Sequence, residues 1–339
     1  MAGGLVSPDS ECAPFLLEPR LVDKVWGYRD LRPWYDYVAQ EDAEATGKSG
    51  PPIGEVWLTG DECKVASGPH AGKALAEVFR EAPRAMLGAA APSFESPLLV
   101  KVIFARDKLS VQVHPDDRMA QKYGEPRGKT ECWYALAADP GAQVAVGLKP
   151  GVTIDEVRAG MERGTLEQSL GVLPIAKGEM VFVDAGTVHA IWPGSILLET
   201  QQNCDITYRM YDYGRPRPLH FEKSLEATKL HTRAGIVTPR VLDDRTILID
   251  VEYFRVERIP VEGSRLSATL PGPGEAPGGL SYLFAAAGSA RIAGEGFTSI
   301  ELAARCVAAI PAASSAFNIK DLGELELIRI SPCWPEKPA

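Results

Sequence analysis

This 339-residue chain has no CxxC pair, no basic run and no long apolar stretch, and each absence removes a class of function. The six cysteines (Cys12, Cys63, Cys132, Cys204, Cys306 and Cys333) are scattered, so free thiols are expected rather than a disulfide framework or a thiolate zinc site. A formal net charge of -9 and a pI near 5.2 argue against a nucleic-acid or anionic-membrane surface, so an anionic ligand must be held by local cations. No segment approaches the roughly 20 apolar residues of a membrane helix, and residues 1–14 carry neither a cationic start nor a continuous apolar run. A cytoplasmic protein is expected. Histidine is scarce too: there are five, and none lies in residues 232–339.

What is present reads as β-structure. The chain is 45% apolar, enough for a substantial core, and its length suits two domains. Its 32 glycines and 27 prolines are spread along the chain and separate short runs rich in Val, Ile, Leu, Phe and Tyr, the pattern of β-sandwiches and barrels. Strands are predicted over 97–104, 109–113, 132–137, 143–146, 180–183 and 196–199. Helical spacing is confined to 74–86 and to a segment opened by a Thr153/Glu156 capping box and running through Leu170; both helices are expected outside the barrel. The polar, acidic stretch 36–52 reads as an excursion loop. Strand patterns resume at 254–259, 280–286, 306–310 and 325–330, with a Gly/Pro-rich loop at 271–279. The expected division is a metal-binding domain over 1–235 and a second β-domain without a metal site over 236–339.

Four polar residues at three separated places suit one metal site. Gln112 and His114, two residues apart on a predicted strand, project from one face while Val111 and Val113 pack behind them. Glu131 supplies a carboxylate and His189 a second imidazole. Two neutral imidazoles, one amide and one carboxylate would leave a divalent cation with net positive charge, able to polarise an oxygen-rich anionic substrate.

Several longer strings carry a family likeness. Residues 109–117 (LSVQVHPDD), 128–134 (GKTECWY), 185–190 (AGTVHA) and 199–215 (ETQQNCDITYRMYDYGR) resemble type I phosphomannose isomerases of the short bacterial form, with weaker support from Trp26-Gly27 and from Gly54 to Trp57. The resemblance covers residues 15–235. It implies two cupin jelly-roll barrels with a few peripheral helices, the first holding Zn²⁺ through Gln112, His114, Glu131 and His189. It further implies Arg209 as the catalytic arginine, Lys129 as the active-site lysine and Ser110 as a phosphate contact. The implied reaction interconverts D-mannose 6-phosphate and D-fructose 6-phosphate through a cis-enediol or enediolate; the expected partner is a small sugar phosphate, with no nucleic acid or membrane, and a monomer is the default. Tyr28, Val56, Asp184 and Cys204 depart from the usual pattern, and none is a ligand or catalytic position. Lys129 shares strand parity with Glu131, so a pKa lowered by a nearby cation and by burial is expected.

Other readings stay in view. Two His and one Glu also satisfy the iron facial triad of cupin oxygenases, although Gln112 would fill a position that oxygen chemistry wants open. A non-catalytic sugar-phosphate sensor would be expected to carry a DNA-binding or signalling module, and none is visible. His70, His220 and His231 are assigned structural or surface roles, Trp133 and Tyr134 core packing, Lys101 and Arg106 ordinary ion pairing or solvation, and Arg215 a strand-end ion pair.

Overall fold

The computed structural model describes residues 11–39, 50–262, 264–266 and 279–334; the predicted loops at 36–52 and 271–279 lie largely outside them. Among the described residues no helix is long and apolar enough to cross a membrane. All six cysteines are free. The chain forms two compact units, one built from the described parts of 21–56 and 99–238, the other from those of 1–20, 57–98 and 239–339. A single cut at 235 therefore does not describe the division. The reason is strand pairing: Phe15–Leu17 lies antiparallel to Val307–Ile310, with Phe15 opposite Ala309, so the start of the chain belongs to the later sheet.

The unit spanning 21–56 and 99–238 has two sheets. One runs in the order Gly235–Val237, Met180–Val183, Glu131–Ala138, Ser195–Gln202, Leu98–Phe104, Ile53–Trp57, Arg20–Tyr28. The other runs Tyr208–Tyr211, Val111–Val113, His189–Ile191, Gln143–Leu148, Leu170–Pro174. Ile103, Trp133, Val181 and Leu197 from the first sheet meet Val144, Val146 and Ile191 from the second in one buried cluster. Because alternate residues of a strand face opposite ways, Val111, Val113, Ala190 and Met210 point outward, where they pack on Val157 and Met161 of helix Ile154–Arg163 and Leu225 of helix Phe221–Ala227. That alternation leaves Gln112, His189 and Arg209 for the interior.

The Thr153 capping box forms as predicted, with the Glu156 carboxylate accepting from the Thr153 backbone N–H at 2.8 Å. The helix stops at Arg163 rather than near Leu170, because Gly164 takes a left-handed φ of 68° and the chain turns through Leu166–Ser169 into a strand. The helix expected over 74–86 is two, Leu75–Glu81 and Pro83–Leu87, broken where Pro83 opens the second, and it belongs to the other unit.

That other unit orders its strands Phe15–Leu17, Val307–Ile310, Ser281–Gly294, Phe317–Pro332, Phe254–Ile259, Thr246–Asp250, Arg240–Val241. If the six main strands of each sheet are counted in chain order, both sheets read fifth, fourth, sixth, third, second, first; the remaining edge place is held by Gly235–Val237 in one and Phe15–Leu17 in the other. One topology is thus repeated without a visible sequence repeat. Two short sequence motifs also acquire a cause. A Cβ on Gly27 would sit 2.3 Å from the Ile53 carbonyl carbon, and one on Gly54 would sit 2.6 Å from Lys24 Cβ, so the close approach of these strands demands glycine at both places.

Candidate active site

The four candidate ligands are brought together by pairing between distant strands. His189 lies directly opposite Gln112, and Arg209 opposite Gln112 on its other side. Glu131 opens its strand between Gln201 and Val183 in the facing sheet. His114, Glu131 and His189 are buried, and their ligand atoms lie within 4.8 Å of one another. Glu131 Oε2 is 3.6 Å from His114 Nε2 and Glu131 Oε1 is 3.4 Å from His189 Nε2. The Gln112 amide reaches the same point, its Nε2 3.2 Å from His189 Nε2, while its Oε1 accepts the Ser110 hydroxyl at 3.1 Å. A half-turn of that amide exchanges the two ends and would present Oε1 to the cluster.

These residues fit a metal ion. His114 Nδ1 faces the Ile206 carbonyl at 2.7 Å and His189 Nδ1 the Thr187 carbonyl at 2.9 Å. A carbonyl can only accept, so each Nδ1 carries the proton and each Nε2 presents a lone pair toward Glu131. Burial holds the His189 pKa down to about 4 and drives His114 well below its ordinary value, with the Lys129 charge assisting, so both rings are neutral at pH 7. Both Nε2 lone pairs are thus turned toward the Glu131 side chain: His114 Nε2 has no hydrogen bond, His189 Nε2 has the Gln112 amide at 3.2 Å, and Glu131 Oε2 has the Lys129 ammonium at 3.1 Å. A buried lone pair without a donor is costly, and a cation bound among these atoms would satisfy it.

Beside the cluster is a cavity of about 220 Å³, whose walls include Ser110, Gln112, Lys129 and Arg209. Lys129 lies just before the strand rather than in it, yet its Nζ stands 3.1 Å from Glu131 Oε2. Among its protein neighbours burial pushes the ammonium pKa down, but Glu131 and Glu199 outweigh it, and the net direction is upward. Arg209 is fixed at its backbone by His220, whose Nδ1 accepts the Arg209 N–H at 3.0 Å, and through its guanidinium by the Pro218 carbonyl at 2.9 Å. His220 is therefore structural, as expected from sequence. Trp133 and Tyr134 are core residues, and Arg215 pairs with Asp212 at 2.8 Å.

Lys101 is an ion-paired residue, as expected, but its place in the cavity wall and the roles of Glu199 and Asp205 there escaped the sequence reading. Lys101, only 2% exposed, links Glu55 at 3.5 Å to Glu199 at 3.0 Å. Glu199 is anchored through Oε2 by the Trp133 indole N–H at 2.9 Å, while its Oε1 faces the Lys101 ammonium. Asp205 adds a further carboxylate to the wall. A cue was available for Lys101, since a lysine inside the uniformly buried run Leu98–Phe104 cannot reach water and must be paired.

Gly128 joins the two halves of the site. Its N–H donates to Asp117 Oδ1 at 2.7 Å, and Lys129 N–H donates to the Pro115 carbonyl at 3.0 Å. A Cβ there would lie 2.5 Å from the Asp116 carbonyl carbon and 2.6 Å from the Pro115 carbonyl oxygen, both backbone atoms that cannot swing aside. Gly128→Ala is expected to push the His114 segment from Glu131 and weaken metal retention about tenfold or more, read by competition with a colorimetric chelator. Unchanged metal affinity would show that the two segments are not rigidly coupled.

A β-barrel that aims two neutral imidazoles and a carboxylate at one point beside a cation-lined cavity defines a metal-site cupin. Residues 15–146 match the catalytic domain of type I phosphomannose isomerases. The chain is 34% identical over 273 residues to a mannose-6-phosphate isomerase of Streptococcus mutans, covering 76% of this chain and 82% of that protein. It is 32% identical over 266 residues to the mannose-6-phosphate isomerase ManA of Bacillus subtilis, covering 74% and 80% respectively. The crystal structure of a mannose 6-phosphate isomerase from Bacillus subtilis superposes with a TM-score of 0.79 at 29% identity, covering 94% of this chain and 99% of the other. The chain belongs to the type I phosphomannose isomerase family.

Proposed function

We propose that the chain is a zinc-dependent isomerase interconverting D-mannose 6-phosphate and D-fructose 6-phosphate through a cis-enediol or enediolate. The observation that carries this reading is the buried convergence of His114, His189 and Glu131 beside a cavity walled by Lys129 and Arg209. His114, His189, Glu131 and the Gln112 amide would hold the ion, which when bound supplies Lewis acidity toward sugar oxygens. Arg209, always charged and planar, suits negative charge on oxygen: that which develops as the proton moves between adjacent carbons, with contact to the substrate phosphate open to the same guanidinium. Lys129, held cationic by its carboxylate neighbours, serves as a proton donor to oxygen rather than as a free base. Lys101 and Glu199 are the neighbouring titratable groups through which the carbon-bound proton would be exchanged. Ser110, through its hydroxyl contact to Gln112, supports the ligand set as well as facing substrate. The setting is the cytoplasm, with a monomer and a small sugar phosphate as the working pair.

The test follows fructose 6-phosphate formation from mannose 6-phosphate by purified protein, stripped with a chelator and then given Zn²⁺. Turnover should fall at least about a hundredfold on stripping and return with about one zinc per chain. The two-His-one-Glu set also admits iron; turnover absent with zinc, and dioxygen uptake appearing with Fe²⁺, would replace this reading by an oxygenase. Lys129→Met retaining most of the activity would remove the lysine from the chemistry.

A further inference from the structure

The cavity is electrically two-sided. On one side lysines and glutamates alternate: Lys24 lies 3.4 Å from Glu55, Lys101 lies 3.5 Å from Glu55 and 3.0 Å from Glu199, and Lys129 lies 3.1 Å from Glu131. Every ammonium there has a carboxylate, and Asp205 adds one more. On the other side the wall carries two arginines, Arg209 and Arg217. Buried Asp212, behind that wall, accepts Nε and Nη2 of Arg217 at 2.7 Å each and also pairs with Arg215 at 2.8 Å, whereas Arg209 donates to the Pro218 carbonyl. Among the described residues no carboxylate bonds the Arg209 guanidinium, and the one that bonds Arg217 is shared with Arg215.

Both arginines line the same cavity. Arg209 Nε is buried with no acceptor, and Arg217 Nη1 is left unspent once Asp212 has taken the other edge of the guanidinium. Burial and then the Arg217 charge push the Arg209 pKa down, and Asp212 opposes them without reversing the direction. A phosphate monoester carries about -1.5 to -2 at pH 7 and several acceptor oxygens, which matches both the missing charge and the unspent N–H groups.

We propose that Arg217, aimed by Asp212, is the second guanidinium of a phosphate clamp with Arg209. The 6-phosphate then lies on the arginine side of the cavity, and the reacting carbons lie toward Lys129 and the ligand cluster. The proposal rests on the sugar-phosphate reading above and adds the placement of the substrate and a specificity residue. Asp212 is a positioning residue: its bidentate grip fixes the plane of Arg217 without reaching the cavity itself.

The test uses the zinc-loaded full chain. Arg217→Gln should raise KM for mannose 6-phosphate about 10- to 100-fold while kcat changes no more than about threefold, and should weaken inhibition by inorganic phosphate by a similar factor. Arg217→Lys, which keeps the charge but not the fork, should raise KM by a smaller factor, and it carries the test if the glutamine variant does not fold. Zinc content should match the parent, while the thermal midpoint should fall by a few degrees because buried Asp212 keeps only Arg215 as its partner. Unchanged KM and unchanged phosphate inhibition in either variant would overturn the clamp, as would a loss confined to kcat. Calorimetric titration of inorganic phosphate into parent and Arg217→Gln reads the clamp without turnover, so failure of the isomerase reading and failure of the clamp give different results.

Discussion

Glu131→Gln is expected to yield a folded protein that no longer keeps its metal and no longer turns over. Glu131 supplies the one negative charge of the ligand set; without it a divalent ion meets two neutral imidazoles and an amide beside Lys129, whose ammonium now stands 3.1 Å from Glu131 Oε2. Charge and geometry then disfavour the cation together. The fold should survive, because glutamine has nearly the same shape and the strand Glu131–Ala138 is held on both sides by backbone pairing, with Glu131 opposite Gln201 and Val183. Metal per chain, measured by plasma spectrometry after gel filtration, should drop from about one to below about a tenth, and kcat/KM should fall at least about a thousandfold. Full metal retention with near-parental turnover would show that this carboxylate is not a ligand. Circular dichroism at 25 °C should be unchanged, which separates loss of metal from loss of fold.

The inward face of Gln112 was legible because strand parity is local, whereas Glu131 and His189 were joined to it by family likeness, since the strand pairings that bring them there are not local. Val111, Gln112 and Val113 alternate, so two valines toward helix Ile154–Arg163 leave the amide for the interior, and that follows from the order of residues alone. The strands were legible for a related reason: Met180–Val183 and Phe254–Ile259 are short apolar runs bounded by turn residues, and they form as expected. What stayed hidden depends on which distant strands pair. Nothing near Lys101 in sequence names Glu199, and nothing near Phe15 names Ala309, so neither the buried charge chain nor the true division of the chain could be read. The Arg217 clamp depends on a turn in which Tyr213 adopts a φ of 54°, a conformation that non-glycine residues seldom take and composition does not announce. The second carboxylate near Lys129, Glu199, was likewise hidden, because it reaches the lysine from a distant strand.

The repeated topology carries its own test in the second unit. Lys101 stands on the third main strand of its sheet and Glu199 on the sixth; in the other sheet the third strand carries Glu257 and the sixth Arg329, so a buried ion pair recurs at matching strands with its signs exchanged. In the first unit that pair faces a cavity. In the second, Glu257 lies opposite Arg329 in register, both are buried, and Arg329 directs Nε and Nη2 to the same Glu257 oxygen, with Ile259, Leu283 and Leu327 in the adjoining core. Arg245 approaches Glu257 within 3.7 Å as well but has Asp244 at 3.3 Å, so Arg329 is the guanidinium that depends on this carboxylate. Glu257→Gln should therefore strand buried Arg329 and cost about 3–5 kcal/mol, lowering the thermal midpoint by roughly 10 °C. Replacing both partners, Glu257→Met with Arg329→Met, should recover much of that loss, since a buried pair contributes little net stability once its desolvation is counted. Zinc content and kcat/KM at 25 °C should stay at parental values in both variants, because neither residue lies in the metal-site unit. A midpoint within about 1 °C of the parent for Glu257→Gln would show that the pair does not hold the second barrel. A large fall in turnover at full zinc content would show that this barrel acts on the catalytic one beyond supporting its fold.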